Sequence, residues 1–143
     1  MTRPHLPPEK AKRYNYNIVF KKLPESFSAF KIAHISDTHS KPAKNILEII
    51  KNAEPDITVI TGDLLNDDNK PTDEMDAFIL RLLDIAPVYF ISGNHDLWRL
   101  EYGEIFKKYE SFGAIFMDKN VALKYRKYDF TKVKKVSGKK LDF

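Results

Sequence analysis

Residues 87–96 read Pro-Val-Tyr-Phe-Ile-Ser-Gly-Asn-His-Asp, an apolar run that stops abruptly at a small polar cluster. The run has the length and the β-branched, aromatic make-up of a buried strand. Two earlier stretches repeat the design. Phe30 to Ile35 leads into Ser36-Asp37-Thr38-His39, and Ile57 to Ile60 leads into Thr61-Gly62-Asp63. Between these runs the apolar spacing is helical. Ile46, Ile49, Ile50 and Ala53 share one face, as do Met75, Phe78, Ile79, Leu82 and Leu83. Strand, helix, strand, helix, strand makes parallel neighbours joined by crossovers. Ligands of such sheets bind beyond the carboxyl ends of the strands. Two aspartates, two histidines and an asparagine are thereby delivered to one sheet edge. Carboxylate, imidazole and amide oxygen suit a catalytic divalent metal rather than a thiolate zinc.

Working outward, Pro42 is placed to open the first helix and Thr72 to cap the second, with Asp73 and Glu74 in its first turn. A third helix is expected from about Arg99 to Phe112, closed by Gly113. Ala114 to Met117 and Val121 to Tyr125 read as short strands around an Asp118-Lys119-Asn120 turn. Tyr14 to Lys22 reads as a strand, and Pro24 to Ala29 as a turn. His34, inside a strand, is expected to be a hydrogen-bonded core residue rather than a ligand. Asp67-Asp68-Asn69 reads as a solvated turn, and Trp98 as a packing residue that could also wall a cleft. His5, in a proline-rich start, reads as a surface residue.

The 143 residues carry a net charge of +4, and that charge is segregated. Residues 23–123 hold 10 basic and 17 acidic side chains, whereas residues 124–143 hold 8 basic and 2 acidic. We therefore expect a flexible start over residues 1–13, an acidic body over 14–123 and an irregular basic tail over 124–143. The tail interleaves lysine with Tyr125, Tyr128 and Phe130 and could grip phosphates non-specifically. No nucleic-acid fold motif accompanies it, so nucleic acid is the disfavoured partner. Peripheral membrane contact through the basic N-terminus stays open. The sequence contains no apolar run of membrane-spanning length and no signal-peptide core. Absence of cysteine removes disulfides and thiolate chemistry, consistent with a cytoplasmic location, with a peripheral membrane location as the alternative.

The three polar clusters resemble the pattern of the calcineurin-like metallophosphoesterases. Asp37-Thr38-His39 matches the family's D-x-H block, Gly62-Asp63 its G-D block, and Gly93-Asn94-His95-Asp96 its G-N-H-[DE] block. The lead-in from Tyr14 is similar to a bacterial subgroup acting on phosphodiesters or lipid pyrophosphates, often tethered to membranes. The resemblance implies an α/β fold, the N-terminal half of a four-layer α/β/β/α sandwich with a parallel βαβαβ core. It implies two divalent ions, with manganese, iron and zinc all compatible with the donors. Asp37 and His39 would hold the first ion, Asp63 would bridge, and Asn94 would hold the second. His95 would serve the leaving group as the catalytic residue. Family members orient this histidine with an aspartate three residues after the bridging one. Here that position is Asn66, followed by Asp67.

The family completes its site with three further histidines, and this sequence has none after His95. The resemblance then implies that the first ion loses one ligand and the second loses two. A truncated domain is expected, with weak or no turnover, an exposed apolar sheet face and a tendency to self-associate unless a C-terminal half is supplied. A frame change near Lys124 would account for the basic ending. Two functions stay open: metal-dependent hydrolysis of a phosphomonoester or phosphodiester substrate, or a non-catalytic module that binds a cation or phosphorylated ligand.

Overall fold

The computed structural model describes residues 10–117, together with the backbone of two short strands at 124–125 and 128–129. Four strands, β1 (Ile32–Ile35), β2 (Ile57–Thr61), β3 (Val88–Ile91) and β4 (Ile115–Phe116), form one sheet in the order β1-β2-β3-β4. All three pairings are parallel. They are connected through the helices α1 (Ile46–Ala53), α2 (Asp73–Ile85), α3 (Asn94–Leu97) and α4 (Tyr102–Phe112). When each new strand is laid beside the last with right-handed crossovers, the helices fall on the same face. The core confirms that arrangement: Ile35, Ile60, Val88 and Phe90 pack with Ile50, Ile79, Leu82, Phe106 and Tyr109 in one cluster.

Register explains which side chains reach that core. Ile35, Ile60 and Phe90 are direct neighbours across three strands, so their side chains share the helical face. The residues between them in sequence share the opposite face. There His34 aligns with Val59, Tyr89 and Ile115 in a single row. That face is partly open: Ile32 and Ile91 are 58% and 43% exposed, while Ile57 and Tyr89 are buried. The expected α/β class with a parallel βαβαβ core is the observed one.

Several local expectations need correction. Residues 10–20, which include most of the expected Tyr14–Lys22 strand, carry no regular secondary structure, and Tyr14, Tyr16, Ile18, Val19 and Phe20 are exposed. Alternation alone does not make a strand without a neighbour to pair with. Pro42 does not open a helix. The first turn of α1 begins at Ile46, after Asn45, whose amide exchanges two hydrogen bonds with the backbone of Ala11. Thr72 precedes α2 but gives no side-chain cap, since its hydroxyl accepts a hydrogen bond from Lys108 Nζ instead. The third long helix starts at Tyr102, and Gly113 ends it in the left-handed conformation with φ 111°. The residues after His95 form the additional short helix α3.

β4 extends the parallel sheet rather than turning back. β5 (Lys124–Tyr125) pairs antiparallel with β6 (Tyr128–Asp129). The expected turn at 118–120 and the remainder of the basic ending lie outside the described residues. His34 is not in the core: it is exposed and shares a 2.6 Å hydrogen bond with Thr61 Oγ1 on the open face. Trp98 is 61% exposed and sets its ring edge-on to His95, with centroids 5.1 Å apart.

Candidate metal centre

The loops after β1 and β2 run on side by side past the strand ends. Asp37 N–H donates to Gly62 O, His39 N–H to Asp63 O, and Ser40 N–H to Leu64 O. Thr38 Oγ1 adds a bond to Leu64 O at 2.8 Å, and Ser40 Oγ accepts from Asn66 N–H at 2.9 Å. Along this seam Asp37, His39, Ser40 and Asp63 all have φ between 45° and 61°. Left-handed backbone costs a non-glycine residue of order 1 kcal/mol. Aspartate and histidine adopt it more readily than most residues, and serine less so. Four of the seven left-handed non-glycine residues among those described fall at the edge to which the sequence delivers its chemistry.

One consequence is convergence. A donor atom from each of Asp37, His39 and Asp63 lies within 4.8 Å of the other two. Asp37 is the more exposed carboxylate, and His39 Nε2 stands 3.9 Å from its Oδ1. Two carboxylates and an imidazole this close carry concentrated negative charge, and the hard and borderline donors fit a divalent cation. Asp37 and Asp63 come from adjacent parallel strands, as the topology requires.

β3 supplies the opposite wall. The His39 and His95 rings meet edge to face with centroids 5.0 Å apart. His95 N–H donates to Asp63 Oδ1 at 3.0 Å, which joins the third cluster to the second. His95 Nδ1 is buried and has no hydrogen-bond partner among the described residues, but Asp67 Oδ2 lies 3.8 Å away. Asp67, rather than Asn66, is therefore the carboxylate near this ring, so the 67–69 stretch is more than a solvated turn. Asn94 sits exposed at the head of α3, directly before His95.

Two residues that the sequence did not single out hold this arrangement. Asp96 is completely buried. Its Oδ2 accepts from Gly93 N–H at 2.8 Å and Leu64 N–H at 3.3 Å, and its Oδ1 accepts from Leu65 N–H at 2.8 Å. Burial pushes its carboxyl above the ordinary range, the three N–H donors pull it back, and Asp63 pushes it up again. Arg99, 4% exposed, donates from Nη1 to Asn66 O and from Nη2 to Lys70 O. It thereby fixes the loop that bears Asp67. The only signal in the sequence was Asp96's place in the third block, and Arg99 offered none.

The parallel sheet thus gathers Asp37, His39, Asp63 and His95 at one edge, and the group Asp37, His39 and Asp63 is a candidate divalent-metal site. The family model described as calcineurin-like phosphoesterase matches residues 30–140, and the chain belongs to that family. The match starts at Phe30, not at Tyr14, and continues through the basic ending to residue 140. The chain is also similar to a transmembrane protein with metallophosphoesterase domain from Bos taurus, at 28% identity over 106 residues. That alignment covers 70% of this chain and 22% of the relative, so the chain spans about a fifth of that protein's length. No helix among the described residues is long and apolar enough to cross a membrane.

Proposed function

We propose that this domain carries out metal-dependent hydrolysis of a phosphomonoester or phosphodiester. The convergence of Asp37, His39 and Asp63 at the edge of a family-typical sheet supports this most directly. Asp37 and His39 are assigned to one divalent ion, Asp63 to the bridging position and Asn94 to a second ion. When bound, such ions would neutralise the developing charge on the phosphoryl oxygens. His95 presents Nδ1 toward Asp67, which leaves Nε2 for the leaving-group oxygen. The Asp63 carboxylate also holds the His95 backbone, so the proton donor and the bridging group are fixed relative to each other. Trp98 shields one side of the imidazole from water.

Manganese binding by titration calorimetry and hydrolysis of bis(p-nitrophenyl) phosphate test this together. Asp63→Asn should weaken manganese binding, and His95→Ala should remove metal-dependent turnover. Turnover itself should be slow, because only two protein groups are assigned to the second ion. Unchanged binding in Asp63→Asn would refute the centre, and unchanged turnover in His95→Ala would refute the role given to the histidine. A second reading, cation or phospholigand binding without turnover, rests on the donors that converge, since Asp37, His39 and Asp63 form one group while Asn94 is exposed. Tight manganese binding with no hydrolysis under any divalent metal would favour it.

A further inference from the structure

Two of the three loops at the centre, those after β2 and β3, are braced by carboxylates in both directions. Asp63, on the loop after β2, accepts from His95 N–H on the loop after β3. Asp96, the residue directly after His95 in α3, accepts from Leu64 and Leu65 N–H immediately after Asp63. It also accepts from Gly93 N–H, which directs the chain past the Asp63 carboxylate. Asp63 sits at φ 50°, a backbone state that persists only where its surroundings hold it. The first residues after it are held by a side chain with no exposure to solvent. We propose that Asp96 is a positioning residue for the metal centre, holding the Asp63 carboxylate in the conformation that accepts a divalent ion.

Burial of a carboxylate is unfavourable, and a simple loop closure could be made by apolar packing. Three main-chain donors aimed at two oxygens instead give a rigid, directional link between the two halves of the site. Groups that orient metal ligands typically contribute 10–100-fold to metal affinity. Arg99 provides a contrast on the same loop pair. It holds the carbonyls of Asn66 and Lys70, three and seven residues beyond Asp63.

This inference rests on the metal centre proposed above, and its test separates the two. Manganese affinity is measured by electron paramagnetic resonance on the full chain for wild type, Asp96→Asn, Asp96→Glu and Leu82→Ala. Circular dichroism melts accompany each. Asn keeps one acceptor oxygen and turns an NH2 toward a backbone N–H, so affinity should fall at least about tenfold while the fold persists at the assay temperature. Leu82→Ala, a core truncation far from the loops, should lower the melting temperature without changing affinity. If Asp96→Asn does not fold, Asp96→Glu carries the test. The family pattern admits glutamate at this position, but here Asp96 is fully buried with both oxygens already engaged. The longer arm must therefore shift the carboxylate relative to the Leu64 and Leu65 N–H groups, and a loss in the same direction is expected. Wild-type binding with unchanged affinity in the folded Asp96 variants overturns the positioning role alone. An equal loss in Leu82→Ala also overturns it, because affinity would then follow general stability. No manganese binding by wild type overturns the proposed centre and this role with it.

Discussion

Replacing Gly93 by alanine probes the contact on which the centre depends. Gly93 has φ −96° and ψ 178°, an extended conformation that alanine adopts without strain, so any cost must come from space. An ideal Cβ would stand 2.8 Å from Asp63 Cγ and still closer to Asp63 Oδ1 and N. Real Cβ atoms do not approach that closely, and one of the crowding atoms is backbone. The loops must separate. Overpacking of this kind costs about 1–3 kcal/mol. Loss of the hydrogen bond from His95 N–H to the charged Asp63 carboxylate adds about 1.5 kcal/mol or more. Together these give about 2.5–4.5 kcal/mol, which at a urea m-value near 2 kcal/mol/M lowers the midpoint by about 1.2–2.3 M.

Urea titration followed by circular dichroism reads this directly, and the double mutant identifies its source. With Asp63→Ala already present, the Oδ1 and Cγ contacts are gone and the His95 bond is already lost. The added cost of Gly93→Ala should then fall by about 1–2 kcal/mol, a coupling typical of touching residues. Gly103 in α4 is the internal control, since nothing lies within 4 Å of a Cβ built there. Gly103→Ala should raise stability by about 0.5–1 kcal/mol, as expected for a helix position. A Gly93→Ala midpoint within 0.25 M of wild type, or a cost unchanged in the Asp63→Ala background, would refute the argument (~0.5 kcal/mol at that m-value).

Two further outcomes follow from the core and the loop charges. Leu82 is fully buried on α2 against the sheet, so Leu82→Ala should lose about 2–5 kcal/mol in the same urea titration. A smaller loss would mean that the α2 face relaxes into the space left behind. Asp68 is affected by partial burial, which raises its pKa, but the Lys70 N–H and ammonium and the Arg99 guanidinium outweigh this and set the carboxyl below its ordinary value of 3.8. Its contribution to stability is therefore present above pH 3.8 and is lost as pH falls through the lowered value. Asp68→Asn should reduce the melting temperature at pH 7 and have little effect at the lowest pH where the protein stays folded. An equal effect at both would show that the interaction is not one of charge.

What the sequence disclosed and what it concealed follow from the range of the forces involved. The parallel core was legible because Ile57 to Ile60 and Val88 to Ile91 are continuous apolar runs with helical spacing between them, and burial on one sheet needs only those local patterns. Asp37, His39 and Asp63 were legible for a related reason: topology alone fixes which edge a strand-end residue occupies, and their donor chemistry is written in their type. Gly93 was legible as a type but not as a reason, since only the structure shows the Asp63 carboxylate lying across it.

Asp96 and Arg99 were hidden because their partners are main-chain groups at sequence separations of 29–33 residues, apart from Gly93 beside Asp96, and every residue has such groups. The segment from Tyr14 to Lys22 was misjudged for the converse reason. Its alternation is a local property, but a strand exists only where another backbone offers hydrogen bonds, and no residue within the segment records whether one does. The same asymmetry sets the order of experiments. Variants at Asp37 or Asp63 test chemistry that residue type already implies. Asp96→Asn tests something residue type could not imply: that a carboxylate sealed from solvent, and from any substrate, governs how well the exposed ones bind.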